Sequence, residues 1–291
     1  MPAPRTRPLA AACFCAPFVL AYAVVFIYPT GRLLQLSFTS APLIGAGHWV
    51  GLANYLRLTG DHLFQAALSH TGYFVALTVV PTTLLGLGIA MLVARLSGWL
   101  QSLVLACFFL PYILPVTVVT LIWQWMLDRQ FGIGQYIIES LTGSRVSVFD
   151  DPIWAMPTVA FVTVWWTNGF NVLLFIAGLR NISPEIYHAA ALDGAGPLQQ
   201  FRHITWPLIW PVTALVLTIQ LILQLKIFDQ VYLLTQGGPF NSTYVMVQYI
   251  YKQAFVQNHG GYAAAVAMVL FGIIAILSVL QFQVLRTRGA T

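Results

Sequence analysis

Apolar residues gather in six long runs along this chain, at 9–36, 66–94, 103–127, 155–178, 208–228 and 262–285. A helix crossing the hydrocarbon core of a bilayer needs about 20 mostly apolar residues, so each run can span. The first three are long enough to tilt or to project beyond the bilayer. The pattern predicts an all-α, polytopic membrane protein with six transmembrane helices. Polar connections fall at 37–65, 95–102, 128–154, 179–207 and 229–261. An even number of spans puts both termini on one side. The prolines of LPYILP, at 110–115, predict a kink in the third run rather than a solute contact.

Composition agrees with this pattern. Hydrophobic residues make up 59% of the chain and charged residues 7%, with a mean hydropathy of +0.80. Soluble domains carry about 25% charged residues, so a water-facing surface cannot be built from this chain. The formal net charge of +5 is small for 291 residues and bears on membrane orientation, not on nucleic acid. No basic groove with stacking aromatics is present to hold a nucleic-acid strand.

Lysine and arginine near the helix ends set the orientation. With cytoplasmic termini, the inner segments hold Arg5, Arg7, Arg95, Arg180, Arg202, Arg286 and Arg288, against only Glu185 and Asp193. The outer side then holds the other six of the 13 basic residues and the other six of the eight acids. Because the inner segments are about half as long in total, their basic density is higher. Both termini are therefore expected in the cytoplasm, and residues 179–207 with them.

Chemistry-bearing motifs are sparse. Cys13, Cys15 and Cys107 sit in apolar runs with neither a disulfide framework nor a metal-ligand spacing, and read as buried small hydrophobes. LAAAC at 9–13 places its cysteine ahead of the apolar run, the reverse of a lipoprotein signal, and the run is long enough to be an uncleaved span. The central turns of spans two, three, four and six contain no Asp, Glu, Lys or Arg. Ion-coupled carriers usually need such groups. The G-x-x-x-x-G-K-[ST], H-E-x-x-H and G-x-S-x-G patterns are all absent. Such a protein is a passive pore, an unusual enzyme, or one part of a machine powered elsewhere.

One polar stretch stands out, PEIYHAAALDGAGPLQQFRHITWPLI at 184–209. Ser183 suits an N-cap, Pro184 the first helical position and Glu185 the positive end of the helix dipole. Ile186 at the third position leaves the capping box incomplete. Ala189, Ala190 and Ala191 favour helix and leave a low surface, and Gly194 can take the left-handed conformation that ends it. Pro197 can start a second short helix, and Pro207 marks the next span. Residues 183–207 thus predict a helix-turn-helix at the membrane surface. It suits either a peg seated in a partner's groove or a connector packed on its own bundle.

The same stretch resembles the cytoplasmic EAA motif of ABC-importer permeases, whose pattern is E-A-A, three residues, G, nine residues, I, one residue, L-P. Here it runs through His188, Ala189, Ala190, Gly194, Ile204, Trp206 and Pro207 with its spacing intact. His188 stands for the motif glutamate and Trp206 for its leucine. Asp193, Ala195 and Phe201 match the carbohydrate-importing members, as do WVGLANY (49–55), LPYILP with WQWMLDRQFG (123–132), GFNVLLFIAGLRNI (169–182) and KIFDQVYLLTQGGP (226–239). The last is similar to the class of the first permease of maltose and glycerol-3-phosphate importers. The resemblance covers nearly the whole chain. It implies a single permease domain, 1–291, with the type I ABC importer permease fold and no enzymatic activity of its own. It also implies a sister permease, two ATPase subunits that carry ATP and magnesium, and an external or periplasmic solute-binding protein. Glu185, His188, Ala189, Ala190, Asp193 and Gly194 would couple to the ATPases. Histidine at 188 can donate and carry positive charge where glutamate only accepts, so its contact should differ from the family's.

A polar solute needs well-placed polar groups near mid-membrane. On span four, Trp165, Asn168 and Val172 share a face and Asn171 lies beside Phe175; on span five, Gln220 and Gln224 are four apart. Trp123 and Gln124 stand near the outer end of span three, and Lys226 and Asp229 at that of span five. Aromatic faces interleaved with amides suit a sugar's mix of C–H and hydroxyl surface. The same amides equally suit helix–helix hydrogen bonds, the tryptophans an interfacial belt, and Lys226 a snorkelling side chain. Asn171 and Gln224 are the first candidates. The sequon N-S-T at 241–243 is uninformative outside a eukaryotic secretory pathway. A stand-alone channel or facilitator is the competing function, and its mark would be solute flux through this chain alone.

Overall fold

The computed structural model describes residues 8–288. Arg5 and Arg7 lie outside the described residues, as do the side chains of Arg286 and Arg288. Helices dominate, and the one β contact among the described residues is an isolated bridge between Thr39 and Trp49. Helix α1 (Pro8–Tyr22) continues through a π turn at Ala23–Ile27 into α2 (Tyr28–Ser37). The short α3 (Ala53–Gly60) precedes α4 (His62–Val93), the longest helix. Then come α5 (Gly98–Ile113), α6 (Val116–Met126) and α7 (Ile133–Thr142). Next are α8 (Ala155–Arg180), α9 (Pro184–Leu192), α10 (Pro197–Gln200) and α11 (Trp206–Leu225). The chain closes with α12 (Asp229–Leu234), α13 (Met246–Tyr251) and α14 (Gly260–Arg288).

Five of these helices are long and apolar enough to cross a membrane, and a sixth crossing requires α5 and α6 to act as one broken span. The kink expected in the third run, 103–127, is present and sharp, a bend of 100° where α5 gives way to α6. The cause is local. Pro115 cannot donate to the ladder, and it forces Leu114 into an extended conformation. The freed Leu114 carbonyl is satisfied by the Trp166 indole N–H at 3.2 Å. Backbone left open inside a bilayer needs such a protein partner.

The chain forms two compact units. One is the chain through Asp61 together with Tyr249–Phe271. Its anchor is the Asp61 carboxylate, which accepts from the Tyr249 hydroxyl at 2.5 Å and the Tyr262 hydroxyl at 2.6 Å. Arg57 stacks over the Tyr262 ring, 4.2 Å from its centre. Burial and then the bond to Asp61 push the Tyr249 hydroxyl above its ordinary pKa, so it stays a donor. The most apolar stretch of Cys13–Ser37 is not buried at all by the rest of the described chain.

The other unit, His62–Gln248 with the chain from Gly272, holds the packed bundle. Helix α4 lies against both α8 and α11, and α5 runs along α8. One apolar cluster joins Phe74, Val119, Met156, Val159 and Val231; another joins Leu87, Phe175, Ile176, Ile209 and Val216. Polar residues on the buried face of α4 satisfy themselves. The hydroxyls of Thr71, Thr78, Thr82 and Thr83 each donate to the carbonyl one turn back, at 2.5 to 2.8 Å. The three cysteines are free and exposed, not buried as the sequence suggested. An apolar run is hydrophobic on its lipid-facing side too, so burial cannot be read from its composition.

Helices α5 and α8 approach closely at Gly169. A methyl group there would lie 2.0 Å from the Phe108 carbonyl oxygen. Gly169→Ala should therefore force the two helices apart at a cost of about 1–3 kcal/mol, read as a lower thermal unfolding midpoint of the purified transporter. Gly88→Ala is the control, because its new methyl would meet nothing within 4 Å; equal midpoints for the two variants would contradict the packing described.

Candidate functional site: a protruding helical arm and a buried amide cluster

The segment 183–207 folds as its residue types dictate. Ser183 Oγ accepts from the Glu185 N–H at 3.3 Å and caps α9. At the other end Gly194 takes φ +82°. Its N–H donates to the Ala191 carbonyl at 3.1 Å, and the Ala195 N–H reaches back to Ala190 at 2.9 Å. These two bonds make a Schellman cap, which needs the left-handed residue between them. Gln199 Oε1 accepts from the Gly196 N–H at 3.0 Å and fixes the start of α10.

The second arm departs from expectation. Instead of a separate short helix, Pro197–Leu225 is one continuous helix of 29 residues. Continuity past Pro207 comes from a π turn at Phe201–Thr205, closed by the Trp206 N–H on the Phe201 carbonyl. The wider turn makes room for the ring of a proline that lacks a donor of its own. At ~1.5 Å per residue the helix is ~43 Å long, against ~30 Å for a bilayer core. The α10 end therefore projects beyond the membrane. The Tyr187 and Thr205 hydroxyls, 2.9 Å apart, tie α9 to this arm at the π turn.

Outside that tie the loop is open. No residue of α9 is buried, and Glu185, His188, Ala189 and Asp193 are all exposed. Leu192 and Leu198 are 90% and 78% exposed, high for leucines on the water side of a membrane protein. Ala190, Asp193 and Gly194 line a hollow of about 420 Å³ shared with His203 and Ile204. Arg180, at the end of α8, donates to Gln101 Oε1 at 3.0 Å. Residues 95–102 and 179–207 therefore lie at one end of the bundle, as the span count required.

Halfway along the bundle the amides form a cluster. Gln224 Nε2 donates to Gln220 Oε1 and Gln220 Nε2 to Asn171 Oδ1, both at 2.9 Å. The three side chains are 0 to 3% exposed and bridge α8 to α11. Asn171 and Gln224 thus sit inside this chain's helix interface rather than on an open cavity. Asn168 differs. It lines a cavity of about 350 Å³ with Trp165, Cys107, Phe108 and Pro111, beside the break between α5 and α6. Its Oδ1 and the Asn171 Nδ2 are buried without a partner among the described residues.

Trp123 is buried and meets the rings of Phe161 and Trp165 edge-on, 5.2 and 5.3 Å between centres. Gln124 serves the fold by donating to the Leu233 carbonyl at 2.9 Å. Lys226 and Asp229 are exposed at the far end of α11 and form no ion pair with each other. The TQGGP segment, 235–239, closes through Thr235 and Thr243, whose hydroxyls are 2.7 Å apart. Gly238–Pro239 is cis.

Residues 83–289 match the family described as the inner membrane component of binding-protein-dependent transport systems. That span is most of the chain. This protein belongs to that family. The permease is 29% identical over 282 residues to the sulfoquinovosyl glycerol transport system permease protein SmoG of Agrobacterium fabrum, covering 96% of this chain and 91% of that one. It is 30% identical to the arabinooligosaccharides transport system permease protein AraP of Bacillus subtilis, with 93% and 86% covered. Against the inner membrane ABC transporter permease protein YcjO of Escherichia coli the identity is 33%, with 89% and 88% covered.

Its backbone is similar to a chain in the crystal structure of a bacterial ABC transporter that imports the acidic polysaccharide alginate, with a TM-score of 0.86 at 20% identity. The match covers 97% of this chain and 96% of that one. The expected ABC-importer permease fold is therefore the fold of this chain. The permease is a transmembrane subunit of an ABC importer, resident in the inner membrane.

If the amide cluster holds α8 to α11, Asn171→Leu strands the Gln220 donor. We expect a loss of about 1–2 kcal/mol, measured as a lower unfolding midpoint of the assembled transporter; a native midpoint would show that the cluster does not carry that interface.

Proposed function

We propose that this permease supplies half of the pathway for a sugar-like solute, and that partner ATPases drive it through residues 183–207. One observation carries the reading: the loop's second arm is the same helix as a membrane span, Pro197–Leu225. A push on the arm is a push on α11, and α9 reaches the arm through the turn at Gly194 and the Tyr187–Thr205 contact. The exposed Leu192 and Leu198 give a partner apolar surface to grip. Glu185, His188, Ala189, Ala190, Asp193 and Gly194 then form the docking face, with His188 at its edge beside the ends of α4 and α8.

Sugar-like cargo is supported by the names of SmoG and AraP and by the alginate importer, one structure of which includes an alginate pentasaccharide-bound periplasmic protein. The cavity beside the helix break has an aromatic face at Trp165, which suits such a solute, and borders Asn168, whose Oδ1 is buried without a partner among the described residues. Gln220, Gln224, Asn171 and Trp123 back it and would reach solute only as the helices shift. Lys226 and Asp229 sit at the external mouth.

The full machine comprises a sister permease, two ATPase subunits that hold ATP and magnesium, and a periplasmic solute-binding protein. This chain of 291 residues acts as one permease domain, binds no cofactor and keeps both termini in the cytoplasm. A near-complete switch between inward and outward states needs about 5.5 kcal/mol of differential binding, which ATP on the partners supplies.

Gly194→Val tests the lever. A β-branched residue at φ +82° is strained by about 1–2 kcal/mol or more. We expect normal expression and assembly, with binding-protein-stimulated ATP turnover in proteoliposomes reduced roughly tenfold. Unchanged stimulation would sink the coupling role, and sustained solute flux through the reconstituted chain alone would favour a stand-alone facilitator.

A further inference from the structure

Between α9 and the ends of α4 and α8 lies a cavity of about 590 Å³. Its lining is divided by chemistry. Arg95, just past the end of α4, and His188 on α9 bring two basic groups from separate elements. Met91, Leu179 and Phe201 form an apolar wall. The remaining polar hydroxyls on the lining, Tyr187 and Thr205, satisfy each other. No carboxylate lines it; Glu185 lies one helical turn earlier on α9 and Asp193 lines the separate hollow at the tip. Neither the Arg95 nor the His188 side chain has a hydrogen-bonding or ion-pair partner among the described residues. Two unpaired basic groups over an apolar wall make a site for an amphiphilic anion.

We propose that this cavity binds the phosphate headgroup of an anionic phospholipid. Arg95 and His188 hold the phosphate, and Met91, Leu179 and Phe201 take the start of its acyl chains. The proposal rests on the reading that 179–207 lies on the cytoplasmic side, where anionic headgroups attract basic pockets between helices. A free phosphate would use the same two basic groups but leave the apolar wall without an occupant. A carboxylate from a docked ATPase is disfavoured by position. The cavity is walled by the ends of α4 and α8, whereas the highly exposed Leu192 and Leu198 line neither this cavity nor the tip hollow.

This assignment also accounts for the motif departure at residue 188. A glutamate there would set a negative charge against the phosphate, whereas an imidazole donates to it. The bound headgroup would sit beside the Tyr187–Thr205 tie, bracing α9 against the arm.

The test uses the assembled transporter, delipidated and returned to nanodiscs of phosphatidylcholine with or without a fraction of phosphatidylglycerol. Native mass spectrometry reads retained phosphatidylglycerol. The native protein should hold it, Arg95→Gln and His188→Gln should each reduce retention about fivefold, and His188→Glu should abolish it. Equal retention by the native protein and the Arg95→Gln/His188→Gln double variant would overturn the site. So would millimolar inorganic phosphate displacing the lipid, which would assign the cavity to the free ion. ATPase dissociation on His188→Glu in pure phosphatidylcholine discs would place His188 against a partner carboxylate and equally overturn it. A failed lever shows differently, as stimulation insensitive to Gly194→Val while lipid retention stays native.

Discussion

A helix that leaves the membrane without breaking is the feature on which the rest of this structure depends. Inside lipid, backbone groups must be satisfied within the segment, so the only stiff elements available to carry motion are helices themselves. Proline at 207 would ordinarily end or kink such an element where it meets the surface. The π turn at Phe201–Thr205 absorbs the proline instead, and the Tyr187–Thr205 contact fastens α9 to the same point. Residues 197–207 therefore extend α11 without a break, with α9 fastened to them.

Against that stiff element stand two softer features deeper in the bundle. The α5–α6 break leaves backbone in the membrane interior, supported by one indole and bordered by the cavity that Trp165 and Asn168 line. The Gln224–Gln220–Asn171 relay joins α11 to α8 by hydrogen bonds, which can re-form with new partners, instead of by apolar packing alone. In the proposed coupling, displacement of α11 would act first on this relay, which lies between α11 and the helix that borders the cavity.

Much of this was legible in the sequence, for identifiable reasons. Runs of about 20 apolar residues can do little but span, so the membrane crossings emerged with small boundary errors. Ser183, Pro184 and Gly194 are terminal signals with specific stereochemistry, and α9 begins and ends where they put it. The kink of the third run was legible in its prolines, but its size was not, because hydropathy counts residues and is blind to the geometry that Pro115 imposes. The continuity of the second arm is not legible in the sequence, because Pro207 reads as a boundary and a π turn has no composition of its own. The amides were ambiguous in principle: an asparagine that contacts solute and one that bridges helices look identical until the neighbouring helix is placed. The structure separates them, with Asn168 at a cavity and Asn171, Gln220 and Gln224 in an interface.

Rigidity of the arm can be measured directly. Spin labels at positions 198 and 215, in a background without the native cysteines, straddle the π turn with ~26 Å of helix between them. Pulsed dipolar spectroscopy on the assembled transporter should give one narrow distance, unchanged between nucleotide-free and ATP-bound states. A broad or two-peaked distribution, or a shift of several ångströms on ATP binding, would mean that the helix yields at the π turn and cannot be the lever.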